Sequence, residues 1–175
     1  MAIVASDIVY RLSVVAAAGD TNAGTPAGSL GDQVSTTVIT SAQLNNLWDD
    51  VSGAESAAGD VEYRCIFVLN NHATLTLTNA TVEVLSQTAG GGTIDIATDG
   101  TAISAKGAAT AQAVTIANEQ TAPTGTSAFG AGPLALGDLG PGQVKGVWLR
   151  RTVTAGAGAV DPDGVVLRVN GDTLP

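Results

Sequence analysis

Residues 62–85, EYRCIFVLNNHATLTLTNATVEVL, form the longest dense run of strand-forming residues in the chain. Over 62–69 one face carries Tyr63, Cys65, Phe67 and Leu69, and the other carries Arg64, Ile66 and Val68. Side chains alternate across a strand, so two largely apolar faces describe a central strand covered on both sides. Asn70-Asn71-His72 follows with residues that tolerate left-handed backbone, and Thr74, Thr76 and Thr78 then alternate against Leu75 and Leu77. The two runs read as a central β-hairpin. The apolar set then slips from odd positions, Leu75 and Leu77, to even ones, Val82 and Val84. Strict alternation forbids that without an extra residue or a bend, so a β-bulge is expected at Asn79-Ala80.

Working outward, Ile8, Tyr10, Leu12 and Val14 alternate with Val9, Arg11 and Ser13, which predicts a first strand over 8–15. A short strand is expected over 34–40. Ser41 then caps a brief helix carrying Leu44, Leu47 and an anchoring Trp48, and 49–60 is an acidic, glycine-punctuated connector. Downstream, 93–97 reads as a short one-sided strand and 111–117 as a weaker one. The second major strand covers 144–154, with Val147, Leu149, Arg151 and Val153 on one face and Trp148, Arg150 and Thr152 on the other. Asp161-Pro162-Asp163-Gly164 has the residue preferences of a type I turn, and Val165, Leu167 and Val169 give a last strand ending at Asn170-Gly171-Asp172.

Two stretches, 16–33 and 118–142, show neither helical nor strand period. Loops this long are uncommon unless functional, bound or mobile, so they are expected to be arms that order on neighbouring subunits. The assembled reading is all-β: one β-sandwich domain spanning 1–175, Ig-like or jelly-roll-like, of about seven or eight strands, with long loops and one short helix.

Composition narrows the function. The 175 residues fit one domain with a real core, and with two each of Trp, Tyr and Phe that core must be aliphatic around a few anchors. Sixteen acids against seven bases give a net charge of -9, which repels phosphate backbones and anionic lipid, so neither nucleic acid nor membrane is an expected partner. Asp49, Asp50, Glu55, Asp60 and Glu62 crowd one stretch, whereas Lys145, Arg150, Arg151 and Arg168 lie near the carboxy end. Two readings stand: separate solvated faces, or a head-to-tail contact between copies. No stretch has the roughly eighteen apolar residues of a membrane span, and the amino terminus lacks the early base of an export signal, so a soluble, cytosolic product is expected.

A search for chemistry finds little. The lone Cys65 lies on an apolar strand face and reads as a small buried hydrophobe. His72, the one histidine, sits in a predicted turn and is expected to stabilise it or face solvent. The GTSAFG stretch at 125–130 misses the nucleophile-elbow spacing by one position. Asp161 and Asp163 lack the glycine spacing and third oxygen of a calcium loop, and Gly90-Gly91-Gly92 has no following Lys-Ser/Thr for phosphate. Asn79-Ala80-Thr81 matches a glycosylation acceptor by form only. No catalytic, cofactor-binding or metal-ligating residue is assigned. Arg64 and Arg151 share strand faces with aliphatic residues, so each is either paired inside, with Glu62, Glu83 or Asp95 as candidates, or snorkels from a strand end.

Three segments together resemble a family of small virion structural proteins of tailed bacteriophages. They are Ser29-Leu30-Gly31 with 46–55 (NLWDDVSGAE), 59–68 (GDVEYRCIFV) with 72–77 (HATLTL), and Pro141-Gly142-Gln143 with 146–153 (GVWLRRTV). Ala117-Asn118-Glu119 and Thr121-Ala122-Pro123 fit the same pattern. The resemblance implies a non-enzymatic capsid decoration or tail-associated protein, made in the host cytoplasm and residing in the virion. Its partners would be major capsid or tail proteins and copies of itself. The residues expected at such an interface are Trp48, Asp49, Asp50, Phe129, Arg150 and Arg151. The alternative is a carbohydrate-binding or host-adhesion module of the tail tip, with Trp148 as its sugar-stacking candidate.

Overall fold

The structure, a computed structural model, describes residues 2–173. Its strands are β1 (Ile8–Val14), β2 (Gln33–Val38), β3 (Asp60–Asn70), β4 (Leu77–Gln87), β5 (Thr93–Thr98), β6 (Ser104–Ala105), β7 (Leu134–Leu139), β8 (Gln143–Val153) and β9 (Val165–Thr173). One short helix, α1 (Gly53–Ala58), precedes β3. A large antiparallel sheet runs β2-β1-β3-β8-β5, with β6 also on β8, and a smaller one runs β7-β4-β9. The two form a β-sandwich.

β3 is the central strand its two apolar faces predicted, flanked by β1 and β8. Ile66 and Val68 point into the sandwich with Leu12, Val147, Leu149, Ile94 and Ile96, against Leu77, Val82, Leu136 and Leu139 of the small sheet. Cys65, Phe67 and Leu69 point the other way, with Trp148, Val34, Ala97 and Val144. Each such Leu or Phe taken out of water contributes about 1.5–3 kcal/mol, so both faces of β3 need a cover.

The expected hairpin is not formed. β4 belongs to the other sheet, because both edges of β3 are already occupied by β1 and β8. The connection 71–76 instead arches from one sheet to the other. Fully buried Asn70 pins that arch: its amide donates to the Leu75 and Leu139 carbonyls at 2.8 and 2.7 Å, and its Oδ1 accepts from His72 N–H. His72 Nδ1 accepts the amides of Thr74 and Leu75, so this histidine is a turn stabiliser. The bulge falls where the alternation slips: β4 shifts register between Thr78 and Thr81, with Asn79 at φ 50°.

The outer face of the large sheet is covered by the chain's own unpatterned segments. Residues 16–33 do not project as an arm. Asp20 and Asn22 bond along β2 to Val34 and Thr36, Ser29 accepts from Cys65 N–H, and Ile116 N–H donates to Leu30. Gly31 (φ +99°) passes so close to 112–116 that a Cβ there would lie 1.8 Å from the Val114 carbonyl oxygen. Residues 111–117 form no strand, only a single bridge between Asp32 and Ala113; Ala113 and Ile116 are apolar because they roof the sheet. Within 118–142, 134–139 is strand β7, disguised in sequence by Gly137 (φ +89°) at its bend.

The helix expected from Ser41 is also displaced. Ala42 and Asn45 adopt left-handed backbone, which interrupts any helix there. The helix lies instead within the acidic connector, where Ser52 Oγ accepts from Glu55 N–H and Glu55 Oε2 accepts from Ser52 N–H, a reciprocal capping box.

Candidate interaction surface

The β3–β8 pair carries charge on both faces at its Asp60/Val153 end. On the inner face Glu62 and Arg151 stand directly opposite in the ladder, and both are buried. Arg151 Nε donates to Glu62 Oε2 at 2.6 Å, and its other nitrogens reach the Asp49 carbonyl at 2.8 Å and carboxylate at 3.3 Å. Burial pushes the Glu62 carboxyl up, and the charge and hydrogen bond of Arg151 oppose that rise. Arg64, one turn of the pleat further in, is 2% exposed and pairs with Glu119. The Trp48 ring takes both guanidiniums, with Arg64 and Arg151 at 5.2 and 5.0 Å from its centroid. Buried arginine requires this company, since an unpaired charge there costs several kcal/mol, roughly 3–5.

On the outer face Arg150 lies 5.0 Å over the Phe129 ring and donates to Asp95 at 2.6 Å. Phe129 meets Tyr63 edge to face, with centroids 5.6 Å apart. Tyr63 and Arg150 are ladder partners, so two strands and the 126–130 loop hold the group together. Tyr63 and Phe129 are half-buried and the Arg150 side chain is 34% exposed. This is a firm aromatic–guanidinium patch open to solvent on one side, the composition from which interface hot spots are drawn.

The nominated interface residues therefore divide. Trp48, Asp49 and Arg151 meet on the inner face, and Arg150 and Phe129 meet on the outer one. Asp50 is exposed and joins neither. Arg151, 6% exposed, acts within the body and not at its surface. Of the candidate partners, Glu62 takes Arg151, whereas Asp95 takes Arg150 and Glu83 takes Arg168. Neither Arg64 nor Arg151 snorkels to solvent.

Trp148 does not serve as a sugar-stacking residue. It is fully buried, and its Nε1 donates to Asp99 Oδ2 at 2.8 Å. Asp99 also accepts from Thr101 and Val114 N–H, so one buried carboxylate ties the roof to the sheet. Gln112 does the same elsewhere, accepting from Val34 N–H and donating to Ser104 and Ala105. Cys65 is buried, and burial raises its thiol well above the ordinary range. Asp163, a weighed calcium ligand, accepts Gly92 N–H instead. Among the described residues no cluster of His, Cys, Asp or Glu is disposed to hold a metal ion, and no helix is long and apolar enough to cross a membrane.

Comparison with known proteins returns no significant match to a family model, a curated protein or a solved structure.

The charge balance has a spatial form that sequence alone does not reveal. Arg11 and Lys106 share Asp20, Arg64 takes Glu119, Arg150 takes Asp95, Arg151 takes Glu62 and Asp49, and Arg168 takes Glu83. Lys145 donates to the Thr101 carbonyl at 2.6 Å. Every basic side chain is engaged within the chain. Of the four bases weighed against the acidic stretch of another copy, Arg151 meets that stretch in its own molecule, at Asp49 and Glu62, whereas Arg150, Arg168 and Lys145 are engaged elsewhere in the chain. Asp50, Asp161 and Asp172 are exposed with no Lys or Arg in ion-pair reach among the described residues, so the outward field is negative.

Proposed function

We propose that this chain is a non-enzymatic structural subunit of a tailed-phage virion, packing on a repeated protein lattice as a capsid decoration or tail-associated protein. The observation that supports it most is how the polar side chains are used. Asp99, Gln112, Asn70 and Arg151 each fasten one piece of backbone to another, and Glu62 holds Arg151 in place. What stays open is the Tyr63–Phe129–Arg150 patch, on the long, unbroken β3–β8 ladder. A rigid body with a pre-organised contact patch loses little entropy on docking, which suits a part used many times over.

The adhesion alternative is weaker, because its candidate Trp148 is sealed beneath the roof. The test is removal of the protein from the particle. A capsid decoration predicts stoichiometric copies on the head and a shell that loses heat or chelator resistance without them. A tail role predicts few copies and intact, full heads. Quantitative peptide counting that finds the chain nowhere on purified particles overturns both versions.

A further inference from the structure

Strand β9 is the edge of the small sheet. It is paired with β4 on one side, and among the described residues no backbone bond reaches its other side. Its inward residues Val165, Leu167 and Val169 pack on the core yet remain only half-buried, and Val166 is 51% exposed. Open hollows stand at both ends of the strand. One of about 410 Å³ is lined by Ser41 and Ala42 against Gly164, Val165 and Val166. The other, about 300 Å³, is lined by Ile3, Val4 and Ile8 against Val169, Asn170 and Gly171.

Both edges of the large sheet are closed: β2 bonds to Asp20 and Asn22, and β5 bonds to Gly130 and is bridged beyond its end at Asp99 to Thr126. The other edge of the small sheet, β7, is bent at Gly137 (φ +89°) and shorter than β9. An unpaired edge is a template for a further strand, and proteins normally block it with lysine, proline or a bulge on the edge strand. β9 has no lysine or proline, and its one base, Arg168, is held by Glu83.

We propose that β9 is a docking edge that takes an extended, lysine- or arginine-bearing segment of another protein as a fourth strand of the small sheet. Backbone pairing supplies the attachment, and alternate apolar side chains cover Val165, Leu167 and Val169. Charge selects the occupant. Asp161 and Asp163 precede the strand, Asp172 lies near its end, and Asp7 belongs to the segment that walls the second hollow; among the described residues none has a Lys or Arg in ion-pair reach. A second copy carries the same -9 charge and would bring its own Asp172 to the seam, so self-pairing is opposed where a basic segment is attracted. The proposal deepens the virion reading and rests on it only for where the partner sits.

The experiment uses the full chain and a fluorescein-labelled peptide, Lys-Val-Thr-Val-Thr-Val-Lys, followed by anisotropy and hydrogen exchange. Binding is expected at low salt, weakened at least about tenfold by about 0.5 M salt or by Glu in place of Lys. Exchange should slow over 165–173. Val166→Lys, at an exposed position, and the Asp161→Asn/Asp172→Asn pair should each weaken binding several-fold. Absence of binding overturns the proposal, as does binding that survives N-methylation of each of the two alternate sets of peptide amides in turn, since ladder pairing cannot then be its basis. Sedimentation showing that the free chain dimerises, with Val166→Lys restoring the monomer, identifies a second copy as occupant and also overturns it. None of these measurements requires the particle, so failure here leaves the particle assignment standing, and the reverse holds too.

Discussion

Glu62 and Arg151 face each other across the β3–β8 ladder, at the point where the sandwich core turns from aliphatic to charged. Val147, Leu149 and Arg151 share one face of β8, so the arginine continues a buried apolar row and depends on its carboxylate for solvation. Glu62→Ala leaves a buried guanidinium with the exposed Asp49 as its one remaining carboxylate, and should cost about 3–5 kcal/mol in urea unfolding. Replacing both residues, Glu62→Leu with Arg151→Met, should recover most of that loss, because the isolated charge is what destabilises.

Asp20 gives a pH-dependent clamp. Burial pushes its carboxyl up, but hydrogen bonds from Lys106 and Arg11, with their charges, outweigh burial and hold it below its ordinary 3.8. A carboxyl depressed in the folded state stabilises above its unfolded value and loses that contribution as pH falls through its folded one. The stability advantage of the native chain over Asp20→Asn should therefore be constant above about pH 5 and shrink below 3.8. Amide exchange of 16–24, compared between the two proteins at each pH, locates the effect.

Gly31 and Gly125 both have positive φ but differ in surroundings. At Gly31 a Cβ would meet the Val114 carbonyl oxygen at 1.8 Å, whereas at Gly125 it meets nothing within 4 Å. Gly31→Ala should cost roughly 2–4 kcal/mol, from strain plus displacement of the roof. Gly125→Ala should cost only about 1 kcal/mol, from strain alone. Thermal melts of the two variants read the difference.

Arg150 and Phe129 should behave as surface residues. The Arg150–Asp95 pair is about a third exposed on the arginine side, so Arg150→Ala or Phe129→Ala should change stability by at most about 1 kcal/mol. Incorporation into particles should fall sharply for the same variants. Trp148→Ala should do the opposite, losing about 3–5 kcal/mol through a cavity and the lost hydrogen bond to Asp99.

Local periodicity explains what the sequence revealed. β1, β3 and β8 announce themselves because each alternates over most of its length, and the bulge at Asn79 shows as a change of parity. Glu62 is one of three carboxylates that the sequence offers to Arg64 and Arg151, and the β3–β8 register selects it for Arg151. Connectivity was hidden: 71–76 has the composition of a hairpin turn, and only the occupancy of both β3 edges sends it to the other sheet. The partners of Arg64 and Trp148, Glu119 and Asp99, lie 55 and 49 residues away, a separation that leaves no local trace. The covering segments 16–33 and 111–117 are hidden for a related reason. Their apolar residues, Leu30, Ala113 and Ile116, have no period because they roof a sheet one residue at a time.

Imaging of intact virions, at a resolution that traces the chain, tests the central claim most directly. The account predicts the two-sheet body at repeated positions on the head or tail, with 16–33 folded on its own sheet and the Arg150 patch or β9 against a neighbouring protein. Particles that assemble with their full complement of density, none of it fitting this body, would contradict it.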